Sequence, residues 1–203
     1  MSLPVENKIV STIYGKGRGW TFSQKDFSSL GPRSNVDVSL HRLLAKGTIR
    51  RVLRGIYDYP KYSTKLARQL GPNLDQVARA LARKFGWRIQ PTGPAALNLL
   101  GLSTQVPVRV AYLSDGPSRT YKIRGQELIF EHTLLKEAGF RFSESSLLVQ
   151  GLKTLGPDRI TDDTLRKLRK YIRPEMRKKV LRDTRTATGW VRDAILKVCG
   201  ESA

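Results

Sequence analysis

Over residues 3–14 the apolar positions Val5, Ile9, Ile13 and Tyr14 recur at helical spacing, and the glycine-rich stretch from Gly15 to Gly19 stops the helix they predict. Trp20, Thr21 and Phe22 read as a short strand. Ser23, with Asp26 three residues on, then predicts the start of a second helix of about two turns, ended by Gly31 and Pro32. A third helix follows, capped by Ser34: Val36, Leu40, Leu43 and Leu44 fall on one buried face, and Gly47 stands just past its end. From Ile49 to Tyr57 the texture is that of two strands, with Arg54 and Gly55 suited to the reversal between them. The order is helix, helix, helix, hairpin.

Beyond Pro60 a connector leads to a helix marked by Leu74, Val77, Leu81 and Phe85. Residues 87–90 read as a short strand, Pro94 to Leu100 as a short helix ended by Gly101, and 108–113, 120–123 and 127–131 as further strands. From Ser145 onward the apolar stripes of Leu147, Leu148 and Leu152, of Leu165, Leu168 and Ile172, of Met176 and Val180, and of Val191 and Ile195 predict helices. The expected fold class is α+β. Residues 1–62 are expected to form a winged helix-turn-helix domain, and residues 63–203 a mixed α/β domain with a largely helical end.

A winged helix-turn-helix places a recognition helix in the major groove, and its hairpin meets the backbone or the minor groove. With Val36, Leu40, Leu43 and Leu44 buried, the outward face of the third helix carries Arg33, Ser34, Asn35, Asp37, His41 and Arg42. Arginine and asparagine pair bidentately with guanine and adenine edges, and serine or histidine bonds either base or phosphate. Arg50, Arg51 and Arg54 on the hairpin, with Lys16 and Arg18 in the glycine loop, are candidate contacts to phosphate or minor groove. A plainer reading of the same residues stays open. The arginines are then solvated charges, His41 sits at a helix edge, and Asp37 is repelled by phosphate unless it accepts from cytosine; the whole unit docks a protein.

Charge favours a polyanionic partner, since the chain carries a net +20 over 203 residues. Basic residues outnumber acidic ones in every third of the sequence, so the charge is not that of a tail grafted onto a neutral domain. Cys199 is the one cysteine, which excludes an intrachain disulfide and a structural zinc site of several thiolates and fits a reducing cytosol. No apolar run predicts export or a membrane span, and the expected location is cytoplasmic. Catalysis is not expected: His41, His132 and Cys199 lie far apart, and Asp162 and Asp163 suit the start of a helix after Thr161 better than a metal. The loop Gly15 to Gly19 lacks the phosphate-loop pattern. Neither a metal nor a cofactor is implied.

The run Val36 to Pro60 resembles the winged-helix end of AbiEi-like antitoxins from type IV, abortive-infection toxin-antitoxin systems. The matching pattern is a helix ending Arg-Leu-x-x-x-Gly, here Arg42 to Gly47, then Ile-x-Arg-Val-x-Arg-Gly-x-Tyr, here Ile49 to Tyr57. Thr92 to Pro107, with the strand Val108 to Leu113, is similar to a segment of that family's second domain. The resemblance implies an autorepressor that binds inverted repeats in promoter DNA as two copies and counteracts a nucleotidyltransferase-like toxin. The rival from another class is a basic RNA- or ribosome-associated binding module. The basic run from Arg166 to Arg185 would serve it, but base stacking wants exposed aromatics there, and only Tyr171 and Trp190 lie nearby.

Overall fold

Helix α1 (Val5–Lys16) forms where the apolar spacing predicts it, with Ile9 and Ile13 fully buried and the backbone N–H of Gly17 closing its end on Ile13 and Tyr14. The computed structural model describes residues 4–103, 108–133 and 140–200. Within them the chain is a mixed α+β protein that packs as two compact units: the described residues up to 87 with 121–128, and those of 88–120 with those from 129 on. No helix of the described residues is long and apolar enough to cross a membrane.

In the first unit, β1 (Thr21–Phe22), α2 (Arg33–Ala45), β2 (Arg50–Leu53) and β3 (Ile56–Asp58) follow α1. The strands form an antiparallel sheet in the order β1-β3-β2. Phe22 and Phe27 meet edge to face at 5.3 Å between ring centroids, and they join Ile9, Ile13, Val36, Leu40, Leu43 and Ile49 in one buried cluster. That cluster fixes which face of α2 is turned inward.

Two expectations need correction here. The second helix is a single 3₁₀ turn, Gln24–Phe27. Asp26 starts it by accepting hydrogen bonds from the Ser23 N–H at 2.8 Å and the Ser23 hydroxyl at 3.2 Å, but Ser28 and Ser29 extend a helix poorly and Gly31-Pro32 ends it. Ser34 is not the cap of α2. The helix begins at Arg33 after Pro32, without a side-chain cap, and Pro32 sets the entry through its fixed φ.

The segment read as a connector after Pro60 is a small hairpin of β4 (Tyr62–Ser63) and β5 (Arg68–Gln69). Helix α3 (Leu74–Phe85) starts with Asn73, whose side chain accepts from the Gln76 N–H at 3.1 Å. It ends at Gly86 in the left-handed region, φ +77°. It packs on β1 and β3 of the first unit, although it lies beyond residue 62. Arg83 ties it down, donating to Asp26 at 2.6 Å and to the Thr21 carbonyl at 2.8 Å.

Strands β6 (Ile89–Pro91), β7 (Arg109–Ser114), β8 (Arg119–Ile123) and β9 (Gln126–His132) form a sheet ordered β6-β7-β9-β8, with α4 (Gly93–Leu99) between β6 and β7 in the chain. Residues 121–128, which are most of β8 and the start of β9, group with the first unit, and β6, α4, β7 and the remainder of β8 and β9 with the second. Residues 104–107, within the stretch that resembles the antitoxin second domain, lie outside the described residues. Helices α5 (Ser143–Leu155), α6 (Asp162–Tyr171), α7 (Pro174–Asp183) and α8 (Gly189–Cys199) bury Leu148, Leu152, Leu168, Ile172, Val180 and Ile195 in one core. Gly151 lets α4 close on α5, since a Cβ there would stand 2.4 Å from the Leu100 side chain. Asp183 accepts from the N–H groups of Arg141 and Phe142 and so steadies the entry to α5. Asp162 and Asp163 occupy the first turn of α6 after Thr161, whose hydroxyl accepts from the Thr164 N–H.

Candidate nucleic-acid interface

Because the buried cluster holds Val36, Leu40 and Leu43, α2 turns Arg33, Ser34, Asn35, Asp37, Val38, His41 and Arg42 to solvent. These residues differ in their electrostatic surroundings. Arg33 and Asp37 face each other one helical turn apart at 3.6 Å, so the acid that would repel phosphate has a cation beside it. Arg42 is 3.6 Å from Glu6 of α1, and Lys46 donates to the same carboxylate at 2.8 Å. Hydrogen bonding from Lys46, reinforced by Arg42, holds the Glu6 carboxyl below its usual range. Arg42 therefore leans toward α1, and the exposed apolar Val38 joins Ser34, Asn35 and His41 on the open part of the helix.

The hairpin arginines divide in the same way. Arg51 and Arg54 are exposed. Arg50 is not available: its guanidinium grips the buried Asp58 carboxylate through Nε at 3.0 Å and through Nη2, and it donates to the Leu70 carbonyl at 3.1 Å. A bulge between Arg51 and Leu53 sets this register, placing Arg50 opposite Asp58 and Arg51 opposite Tyr57. Arg18 is exposed but engaged. It donates to the Pro60 carbonyl at 3.0 Å and lies 4.6 Å above the Tyr59 ring. Lys16 is exposed at the end of α1. Of the hairpin and glycine-loop residues singled out from sequence, Arg50 is thus part of the scaffold, Arg18 is exposed but tethered by its hydrogen bond, and Arg51, Arg54 and Lys16 face solvent.

One positioning residue has no sequence signal. Lys84 of α3 donates at 3.1 Å to the Arg54 carbonyl and lies beneath the β2-β3 turn, where a Cβ on Gly55 would come within 2.8 Å of its Nζ. Burial, and then the neighbouring Arg54 charge, lower its affinity for its proton. The Lys84 target is a backbone carbonyl, which no residue pattern announces. Gly55 meets the turn's need for positive φ, at +72°.

The residues weighed for catalysis do not converge. His41 is exposed on α2, His132 bonds through Nδ1 to the Gly116 carbonyl at 2.9 Å, and Cys199 is buried in α8. Among the described residues no group of histidine, cysteine and carboxylate side chains could hold a metal ion. Burial pushes the Cys199 thiol up to about 11. At pH 8 its thiolate fraction is then on the order of a hundredfold below that of a free cysteine. Labelling of the native protein by a maleimide is expected to be at least that much slower than labelling in denaturant; equal rates would contradict the buried placement.

The described residues define a mixed α+β protein whose first unit displays a polar helix face and a basic hairpin. The chain belongs to the family of unknown function DUF6088, whose sequence profile matches residues 8–180. No curated protein matches it significantly. A crystal structure of the RV2827C protein from Mycobacterium tuberculosis is similar over 99% of this chain and 79% of that one, at 13% identity and a TM-score of 0.40. That likeness is too remote to carry over any property.

Proposed function

We propose that the first unit is a winged helix-turn-helix in which α2 is the recognition helix and the β2-β3 hairpin is the wing, and that the chain binds promoter DNA as a repressor. The observation that carries this reading is the exposed face of α2 next in sequence to a hairpin with two exposed arginines. Asn35 offers a bidentate partner for adenine, Ser34 and His41 bond base or phosphate, and Val38 suits a thymine methyl. Arg51 and Arg54 supply sequence-independent attraction to the backbone. The strand order β1-β3-β2 and the passage from α1 through a turn into α2 support the same arrangement.

The resemblance to AbiEi-like antitoxins extends the proposal. The repressed operon would be the protein's own, its operator an inverted repeat occupied by two copies, and the protein would counteract a nucleotidyltransferase-like toxin encoded there. The strongly basic charge favours any polyanion and so confers no selectivity by itself. The test is a competition gel shift at physiological salt with the protein's own upstream duplex, a scrambled duplex and a structured RNA. The upstream duplex is expected to compete about a thousandfold better than the scrambled one. Equal competition by all three would overturn the reading in favour of a general polyanion binder, the RNA- or ribosome-associated module being one such case.

A further inference from the structure

The β4-β5 hairpin is a second basic projection on the first unit, and neither the wing nor the recognition helix uses it. Its strands pair Tyr62 with Gln69 and Ser63 with Arg68, and the loop between them is closed by bonds from the Ala67 N–H to the Thr64 carbonyl and from the Leu66 N–H to Ser63 Oγ. Ala67 holds φ at +47°, a conformation that costs an L-residue energy and persists only where the surroundings fix it. Two-stranded hairpins are marginal on their own. Two arginines from outside it bond its base: Arg50 the Leu70 carbonyl, and Arg18 the Pro60 carbonyl. The Leu70 N–H donates to the Lys61 carbonyl at 2.8 Å and shuts the neck.

The anchored hairpin displays large apolar groups with only positive charge around them. Leu66 at its end is 53% exposed and Tyr62 is 54% exposed. Lys61, Lys65 and Arg68 are exposed too, and no acidic residue occurs between Asp58 and Asp75. An apolar wedge flanked by cations is the chemistry that enters the minor groove, where cations hold the phosphates and the apolar group presses against a base step. The charge complementarity favours duplex DNA over a protein partner, whose recognition would want mixed charges at the rim.

We propose that the β4-β5 hairpin is a second DNA-contacting arm, with Leu66 as a minor-groove wedge and Lys65 and Arg68 on the flanking phosphates. This rests on the reading of the first unit as a DNA-binding module. Arg50 becomes a positioning residue for both arms in this arrangement, since it belongs to the strand leading into the wing and bonds the base of the second hairpin.

The buried Cys199 makes a direct test possible in the full chain. Leu66→Cys places a reactive thiol at the hairpin end, and an iron-EDTA reagent attached there cleaves whatever DNA lies beside it. On the upstream duplex, cleavage is expected at a few adjacent nucleotides, offset toward the 3′ ends of the two strands as for a source in the minor groove. Lys65→Ala with Arg68→Ala is expected to weaken binding to upstream and scrambled duplexes alike, by about ten- to a hundredfold, and to make the salt slope shallower by about two. A labelled protein that binds the upstream duplex with wild-type affinity but cuts it no more than one labelled at Lys153→Cys would overturn the arm while leaving α2 and the wing in place. Cleavage spread over RNA and scrambled DNA alike, with no upstream preference in the unlabelled protein, would overturn the arm together with the reading it rests on.

Discussion

Replacing both Arg51 and Arg54 by alanine is expected to weaken binding to every duplex by about a hundredfold at physiological salt, with a slope of log affinity against log salt that is shallower by about two. Both side chains are exposed on the β2-β3 hairpin, so their loss disturbs no packing and thermal stability should be unchanged. Phosphate contacts carry no base information, and the ratio of upstream to scrambled affinity should hold nearly constant. Arg42→Ala is expected to do far less, because Glu6 already competes for that guanidinium. Asn35→Ala should act in the opposite way from the wing, lowering the upstream-to-scrambled ratio by about tenfold or more while leaving the salt slope intact. Fluorescence anisotropy over a salt series separates these behaviours. A double wing variant that lost upstream binding alone would mean that Arg51 or Arg54 reads bases.

Arg50→Ala has the largest expected effect on stability. Asp58 is 1% exposed, and its carboxylate takes two hydrogen bonds from Arg50. Removing the cation leaves a buried carboxylate without its partner, which costs roughly 3–5 kcal/mol against total stabilities of about 5–15 kcal/mol. The melting temperature should fall by roughly 10 °C or more. Arg50→Met combined with Asp58→Leu removes both charges together and should recover most of the loss, because the unpaired carboxylate and not the absent ion pair is the source of the penalty. The hairpin at residues 62–69 should also loosen in Arg50→Ala, since the Leu70 carbonyl loses its donor. Hydrogen exchange at the Leu70 N–H reads that local effect apart from global unfolding. An Arg50→Ala protein with wild-type melting and DNA affinity would contradict the scaffold role.

The inward face of α2 was legible because Val36, Leu40 and Leu43 repeat with the helix and are all buried. The two-residue reversal at Arg54-Gly55 was legible for a comparable reason, as only glycine meets the positive φ cheaply. Which arginine stays free was not legible. A regular hairpin pairing Leu53 with Ile56 would carry on to set Arg51 opposite Asp58; the bulge shifts the register by one residue, puts Arg50 there and releases Arg51. Bulges leave little trace in a short strand. The second helix failed for want of length: the start signal at Ser23 and Asp26 is real, but it is followed by two serines and a Gly-Pro stop. The hairpin after Pro60 was not legible because its exposed leucine and lysines have no period, and its anchors come from Arg18 and Arg50, distant in sequence.

Hydroxyl-radical footprinting of the upstream DNA at physiological salt tests the central claim most directly. A recognition helix used by two copies on an inverted repeat predicts two protected half-sites whose centres lie about one helical turn, or a whole number of turns, apart. The protection should vanish on the scrambled duplex at the same protein concentration. Uniform protection along both duplexes, or none on either while structured RNA is bound, would contradict the account.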